Sequence, residues 1–133
     1  MATRPVLVVE DDPTLARAIA RNLSARGYAT RSAMTVADAT TAIADVDPAL
    51  LLLDIDLPDG SGWEVLRGLR AAGHGDVPVI VMSALRPNPR LCKDLRPTGV
   101  LEKPFPMEAL LRQVATFLGR SAAPVVTPGG AEG

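Results

Sequence analysis

Carboxylates follow two of the apolar segments of the chain, at the positions where buried strands would end. Glu10 and Asp11 come directly after the apolar run 6–9, and Asp54 comes directly after four consecutive leucines. Ligands of an open parallel sheet bind outside the carboxyl ends of its strands, so neighbouring strands would bring these carboxylates together. Clustered carboxylates repel one another, and a cation relieves the repulsion. Hard oxygen ligands, few in number and beside a phosphate, are typical of a Mg²⁺ site.

Two further strand ends offer a hydroxyl group and a positive charge. Ser83 ends the apolar run 79–82, and its hydroxyl can hydrogen-bond a phosphoryl oxygen. Lys103 follows the short apolar pair 100–101 and supplies the charge that a phosphoryl group needs. Pro104 can hold a cis peptide that orients this lysine. Carboxylates, a hydroxyl and an ammonium at strand ends predict phosphoryl transfer to a carboxylate.

The elements that must position these residues alternate along the chain. Near-continuous apolar runs are typical of parallel strands that are buried on both faces. The predicted strands are 6–9, 28–33, 49–53, 77–82 and 100–101. Helix starts are indicated by Asp12-Pro13, by Thr35 with Asp38, by Ser61 with Glu64, and by Pro106. Strand and helix repeated five times predict a parallel sheet covered by helices on both faces.

The fourth helix departs from this regularity. Prolines at 87, 89 and 97 interrupt its segment, and a proline inside a helix costs about 3 kcal/mol. The helix must therefore fit within 88–95, at most about two turns, and we expect it to be short or irregular.

Composition limits the class of protein. The 133 residues fit one domain, and 47% hydrophobic with 22% charged residues is ordinary for a globular chain. A net charge of -1 gives no excess of positive charge of the kind that binds nucleic acid or an anionic membrane. No run reaches the ~18 apolar residues of a membrane span, and no signal peptide is found. A single cysteine, Cys92, excludes an internal disulfide, so we expect a cytoplasmic location.

The end of the chain differs in composition from the rest. Residues 120–133 are rich in proline, glycine and alanine and offer little that could form a core. We expect a disordered tail there, with no output domain after it, and a single folded domain at 4–119.

Four motifs, in this order, resemble the landmarks of response-regulator receiver domains of bacterial two-component signalling. They lie at 6–12, 53–62, 81–84 and 103–105. One such motif alone is weak, whereas four in register are specific, and the resemblance spans roughly 4–119. With it we expect an α/β fold that is flavodoxin-like and similar to chemotaxis receivers. This is a doubly wound five-stranded parallel sheet with the strand order 2-1-3-4-5.

The resemblance implies a role for each candidate residue. Asp54 would be the phosphoacceptor, and Ser83 and Lys103 would contact the phosphoryl oxygens. The Mg²⁺ ligands would be Glu10, Asp11, Asp54 and the backbone carbonyl of Asp56. The donor would be a phosphohistidine on a sensor histidine kinase or a histidine phosphotransfer protein. The domain would catalyse only its own phosphorylation and dephosphorylation, and would relay the signal to an unknown downstream protein by a conformational change.

The chain also departs from the family pattern. Val100 stands where the family usually has tyrosine or phenylalanine, so an aromatic rotamer switch is unavailable. The segment from Ser83 to Lys103 is shorter than usual, and Asp56 replaces a residue that is more often uncharged. We expect these changes to leave the acceptor chemistry intact and to alter the output face. A carboxylate at 56 is hypothesised to tighten the metal ion or to alter hydrolysis of the acyl phosphate.

Two other functions remain open. A pseudo-receiver would keep the fold and bind a partner without phosphorylation. The sequence Asp54-Ile55-Asp56 also resembles the first motif of haloacid-dehalogenase-type phosphatases, although here an acidic pair precedes it and no cap domain follows.

Several other positions have simpler structural interpretations. Asp59-Gly60 is interpreted as a turn, Gly62 and Trp63 as packing residues, and His74 as a solvated loop residue.

Overall fold

The computed structural model describes residues 4–119. The predicted disordered tail at 120–133 lies outside the described residues.

Five parallel strands form a single sheet in the order β2-β1-β3-β6-β7. The strands are β1 (Val6–Val9), β2 (Thr30–Ala33), β3 (Leu50–Asp54), β6 (Val79–Ser83) and β7 (Gly99–Glu102). A short antiparallel hairpin, β4 (Asp56–Leu57) and β5 (Gly60–Ser61), follows β3 and stands outside this sheet. Counted without the hairpin, the observed order is the predicted 2-1-3-4-5. The hairpin was not predicted, because two-residue strands leave no periodic pattern.

Five helices connect the strands. They are α1 (Pro13–Ala25), α2 (Val36–Val46), α3 (Gly62–Ala71), α4 (Pro89–Leu95) and α5 (Met107–Leu118). Their starts agree with the capping residues read from the sequence. The Asp12 side chain accepts hydrogen bonds from the first turn of α1, and Ser61 with Glu64 forms a complete capping box at α3.

The sheet separates two apolar cores. Alternate residues of β1 and β3 face opposite sides, so Leu7 and Leu53 pack towards α2 and α3, while Val8 and Leu52 pack towards α1 and α5. The central strands are buried along their whole length, which is why they read as continuous apolar runs.

The fourth helix is short, as predicted. Helix α4 has seven residues and none of them is fully buried. Asn88 caps its start, and its apolar side chains at 91, 92 and 95 pack only partly against the core. No helix within 4–119 combines the length and the hydropathy needed to cross a membrane.

Candidate functional site

The parallel register brings the candidate residues to one edge of the sheet. Val9 pairs with Leu53, so Glu10 and Asp54, the next residues along, meet at the carboxyl ends of β1 and β3. On the other side of β3, the Lys103 amide donates to the Ser83 carbonyl at 2.7 Å and joins the ends of β6 and β7. The strand order therefore gathers residues that are far apart in sequence.

Three carboxylates form a cluster at this edge. Oxygen atoms of Glu10, Asp11 and Asp54 all lie within 4.8 Å of one another. Glu10 is completely buried and Asp54 is 3% exposed, whereas Asp11 is exposed to solvent. The cluster is therefore open on the Asp11 side, where an ion or a phosphoryl group can approach.

Lys103 supplies the positive charge that faces this cluster. Its Nζ donates to Glu10 Oε1 at 2.7 Å and to Asp54 Oδ2 at 3.3 Å. The Lys103–Pro104 peptide is cis, a form that the proline allows. The sequence-based grouping of Glu10, Asp11, Asp54 and Lys103 is thus confirmed as a spatial cluster.

Burial and charge change the proton affinity of these groups. Burial raises the pKa of Glu10 from 4.5 to about 7 and the neighbouring Asp54 charge adds to this, although hydrogen bonds from Lys103 and the Asp12 amide oppose it. Burial also raises the pKa of Asp54, against the hydrogen bond from the Asp56 amide and the charge of Lys103. Burial acts to lower the pKa of Lys103, but hydrogen bonds and charges of Glu10 and Asp54 raise it overall. One ammonium therefore faces several crowded carboxylates, an arrangement that favours uptake of a further cation.

The Asp54 carboxylate and its backbone are held by the segment that follows. The Asp56 amide donates to Asp54 Oδ1 at 3.1 Å. Gly62, the first residue of α3, donates its amide to the Ile55 carbonyl at 2.8 Å. A Cβ atom on Gly62 would lie 2.2 Å from the backbone oxygen of Asp54. Gly62 therefore does more than pack a helix, because its missing side chain lets α3 approach the acceptor.

Ser83 lies beside the cluster but its hydroxyl is used elsewhere. The side chain is buried, and its Oγ donates to the Leu85 carbonyl at 2.6 Å and accepts from the Leu85 amide at 3.2 Å. These bonds fold the start of the β6–α4 loop onto the strand end. Leu85 itself is 77% exposed.

Asp56 and Val100 are placed at the surface. The Asp56 side chain is exposed, and the carboxylate cluster found among residues 4–119 does not include it. Its backbone carbonyl as a metal ligand therefore stays a prediction. Val100 is 39% exposed on β7, and its carbonyl accepts a hydrogen bond from the Gln113 side chain of α5.

Two polar residues have contacts that the sequence did not indicate. Asp59, interpreted as a turn residue, accepts hydrogen bonds from the Val36 and Ala37 amides at the start of α2. His74 lies in a loop, as interpreted from the sequence, but it is less exposed than a fully solvated residue. It is partly buried, and its Nδ1 lies 3.4 Å from Asp47 Oδ1. Both contacts join segments that are distant in sequence, so no local pattern reveals them.

Comparisons with known proteins agree with the fold. A family model described as the response regulator receiver domain matches residues 6–115. The transcriptional regulatory protein KdpE of Mycobacterium tuberculosis is 38% identical over 120 residues, which cover 89% of this chain and 52% of KdpE. CusR of Escherichia coli K12 is 32% identical over 123 residues, covering 91% of this chain and 54% of CusR. The chain thus spans about half the length of these curated relatives.

Solved receiver domains have the same fold. A CheY-like receiver domain protein from Methanospirillum hungatei superimposes with a TM-score of 0.82 at 23% identity, covering 89% of this chain and 95% of that one. The receiver domain of NtrX from Brucella abortus gives 0.75 at 29% identity, covering 87% and 99%. Together with the clustered strand ends, these matches place the chain in the response regulator receiver domain family.

Proposed function

We propose that the domain accepts a phosphoryl group on Asp54 from a partner phosphohistidine, with Mg²⁺ bound, and relays the signal by a conformational change. The observation that carries this proposal is the buried Asp54 carboxylate, which clusters with the Glu10 and Asp11 carboxylates and contacts the Lys103 ammonium. The donor would be a sensor histidine kinase or a histidine phosphotransfer protein, and the downstream partner a protein. A reducing cytoplasm suits the single half-buried Cys92.

The donor set fits magnesium. Mg²⁺ binds oxygen at 2.0–2.1 Å in octahedral geometry, so its ligand oxygens are ~3 Å apart when adjacent and ~4 Å apart when opposite. Carboxylate oxygens of Glu10, Asp11 and Asp54 within 4.8 Å of one another are compatible with such a shell. We propose these residues and the Asp56 carbonyl as its protein ligands. A bound Mg²⁺ would neutralise the acidic cluster and the oxygens of the incoming phosphoryl group.

The other residues of the site would orient the acceptor and balance the charge during the transfer. An Asp54 oxygen would attack phosphorus, and an O–P bond would form as the P–N bond to the donor histidine breaks, with the electron pair passing to nitrogen. The Asp56 amide would keep the carboxylate oriented through its hydrogen bond to Oδ1. Lys103, which already contacts both Glu10 and Asp54, would balance the charge of the phosphoryl oxygens. In hydrolysis, a water oxygen would bond to phosphorus as the Asp54 O–P bond breaks, which restores the Asp54 carboxylate and releases inorganic phosphate.

Ser83 offers a route from the phosphoryl group to the surface. A hydroxyl has one proton to donate, and in the structure it donates to the Leu85 carbonyl. Donation to a phosphoryl oxygen would release that carbonyl and free the start of the β6–α4 loop. Because Val100 provides no aromatic ring to follow this movement, we propose that the loop itself carries the output.

Beryllofluoride binding tests the acceptor directly, because this anion mimics a phosphoryl group on a carboxylate. We expect a ¹⁹F NMR signal of bound beryllofluoride that requires both Mg²⁺ and Asp54, and that is lost in Asp54→Ala. No bound signal in the wild-type protein at saturating Mg²⁺ would contradict the proposal and favour a pseudo-receiver.

We further propose that the domain hydrolyses no phosphate ester and catalyses only its own phosphorylation and dephosphorylation. The acidic pair precedes Asp54 in the chain, unlike the order of haloacid-dehalogenase-type phosphatases. Incubation with p-nitrophenyl phosphate and Mg²⁺ is therefore expected to release no nitrophenolate above the Asp54→Ala background. Steady turnover that depends on Asp54 would instead favour a phosphatase.

A further inference from the structure

The hairpin that follows the acceptor strand is fixed at its tip to another helix. Asp59 Oδ1 accepts from the Val36 amide at 2.7 Å, and Oδ2 accepts from the Ala37 amide at 3.1 Å. These amides belong to the first turn of α2, whose donors have no partner within the helix. The helix also has its own cap, because Thr35 Oγ1 accepts from the Asp38 amide at 2.9 Å. The start of α2 is therefore capped twice, once locally and once by the hairpin.

The charge and packing of the tip reinforce this contact. Hydrogen bonds from the α2 amides lower the pKa of Asp59, so the carboxylate is anionic at neutral pH. An anion at a helix N-terminus is favoured by the helix dipole. A Cβ atom on Gly60 would lie 3.2 Å from Val36 Cγ2, which shows how closely the tip approaches α2.

The other end of the same hairpin holds the acceptor. Asp56 pairs with Ser61 and Leu57 pairs with Gly60, so two backbone pairings connect the base of the hairpin to its tip. Asp56, at the base, donates its amide to Asp54 Oδ1 at 3.1 Å. Hydrogen bonds and backbone pairings thus connect the start of α2, through Asp59 and the hairpin, to the acceptor carboxylate.

We propose that Asp59 is a positioning residue for the acceptor site: by tying the hairpin to α2, it fixes the Asp56 amide and carbonyl against Asp54. This inference deepens the proposed phosphoacceptor function and rests on it. Asp59 would touch neither the phosphoryl group nor the metal ion. Its effect would pass through the hairpin.

The chain offers a matched control. Asp59→Ala and Thr35→Ala each remove a cap from the start of α2, but only the first releases the hairpin. We expect both variants to fold with similar stability in urea unfolding. Asp59→Ala is expected to slow phosphorylation by acetyl phosphate about threefold to tenfold, less than the ~10- to 100-fold typical of side chains that bond a metal ligand directly. Asp59→Asn keeps one acceptor oxygen and should be intermediate.

A second readout does not depend on activity. Hydrogen exchange of the Asp56 amide, followed by NMR in metal-free protein, is expected to be faster in Asp59→Ala and unchanged in Thr35→Ala. Equal exchange and equal phosphorylation rates in the two variants would overturn the positioning role. If the wild-type protein takes up no phosphoryl group, the proposed function fails. The exchange measurement still tests the hairpin, because unchanged exchange of the Asp56 amide in Asp59→Ala would refute the positioning role of Asp59.

Discussion

Replacing Gly62 with alanine is expected to disturb the acceptor strand, because the new methyl group has no space. Its Cβ would lie 2.2 Å from the Asp54 carbonyl oxygen and 3.0 Å from both the Asp54 carbonyl carbon and the Ile55 Cα. Ordinary carbon–oxygen contacts are ~3.3 Å or longer, so the backbone must separate by about 1 Å. All three obstructing atoms belong to the backbone, so no side-chain rotation relieves the clash.

The clash is expected to reduce both the unfolding free energy and the rate of phosphorylation. Overpacking of this kind costs about 1–3 kcal/mol of unfolding free energy. A displacement of about 1 Å at a reacting group reduces rates by roughly 100-fold. We therefore expect Gly62→Ala to unfold at lower urea concentration and to be phosphorylated roughly 100-fold more slowly by acetyl phosphate. Urea unfolding followed by Trp63 fluorescence and timed intact-mass spectra would measure the two quantities.

Gly68 provides the control on the same helix. A Cβ atom there would meet no atom within 4 Å, and the residue is exposed. Gly68→Ala should raise the unfolding free energy by about 0.5–1 kcal/mol, because alanine favours the helix, and leave phosphorylation unchanged. If Gly62→Ala matches Gly68→Ala in both stability and rate, the close approach of α3 to Asp54 has no role in the site.

Three further perturbations follow from the structure. The Arg70 guanidinium donates to the carbonyls of His74, Gly75 and Val77, so Arg70→Ala should lower the unfolding free energy in urea by about 2 kcal/mol, and an unchanged value would count against these bonds. Because burial raises the pKa of Glu10 to about 7, the folded state keeps a proton that the unfolded state loses above 4.5. Metal-free protein should therefore lose stability as pH rises from about 4.5 to about 7, and Glu10→Gln should make this loss smaller; an unchanged slope would count against the buried Glu10 carboxyl as its source. Lys103→Met removes the cation that contacts Glu10, so it should slow phosphorylation by roughly tenfold or more; a wild-type rate would exclude charge balance by Lys103.

The sequence was sufficient for the sheet and for the acidic part of the site. Leucines that precede Asp54 and valines that precede Glu10 are buried on both faces, so they read as strands, and parallel strands must place the following residues at one edge. Asp12 and Ser61 were readable as caps because a cap bonds residues within its own first turn.

The rest depends on contacts that no local pattern records. Asp59 caps a helix that begins 23 residues earlier in the chain, and His74 contacts Asp47, which lies in a distant segment of the chain. The direction of the Ser83 hydroxyl is set by the fold of the loop at Leu85, which the residue type alone does not fix. The glycine at position 62 partly indicated the close approach of α3 to Asp54, because glycine at the start of a helix permits two backbones to lie close together.

The central claim is that Asp54 accepts a phosphoryl group with the help of Mg²⁺, and intact-mass spectrometry tests it most directly. Wild-type protein incubated with acetyl phosphate and Mg²⁺ is expected to gain the mass of one phosphoryl group. Asp54→Ala, and wild-type protein in the presence of a chelator, are expected to gain none. A wild-type protein that gains no mass, or an Asp54→Ala variant that gains the same mass, would contradict the account.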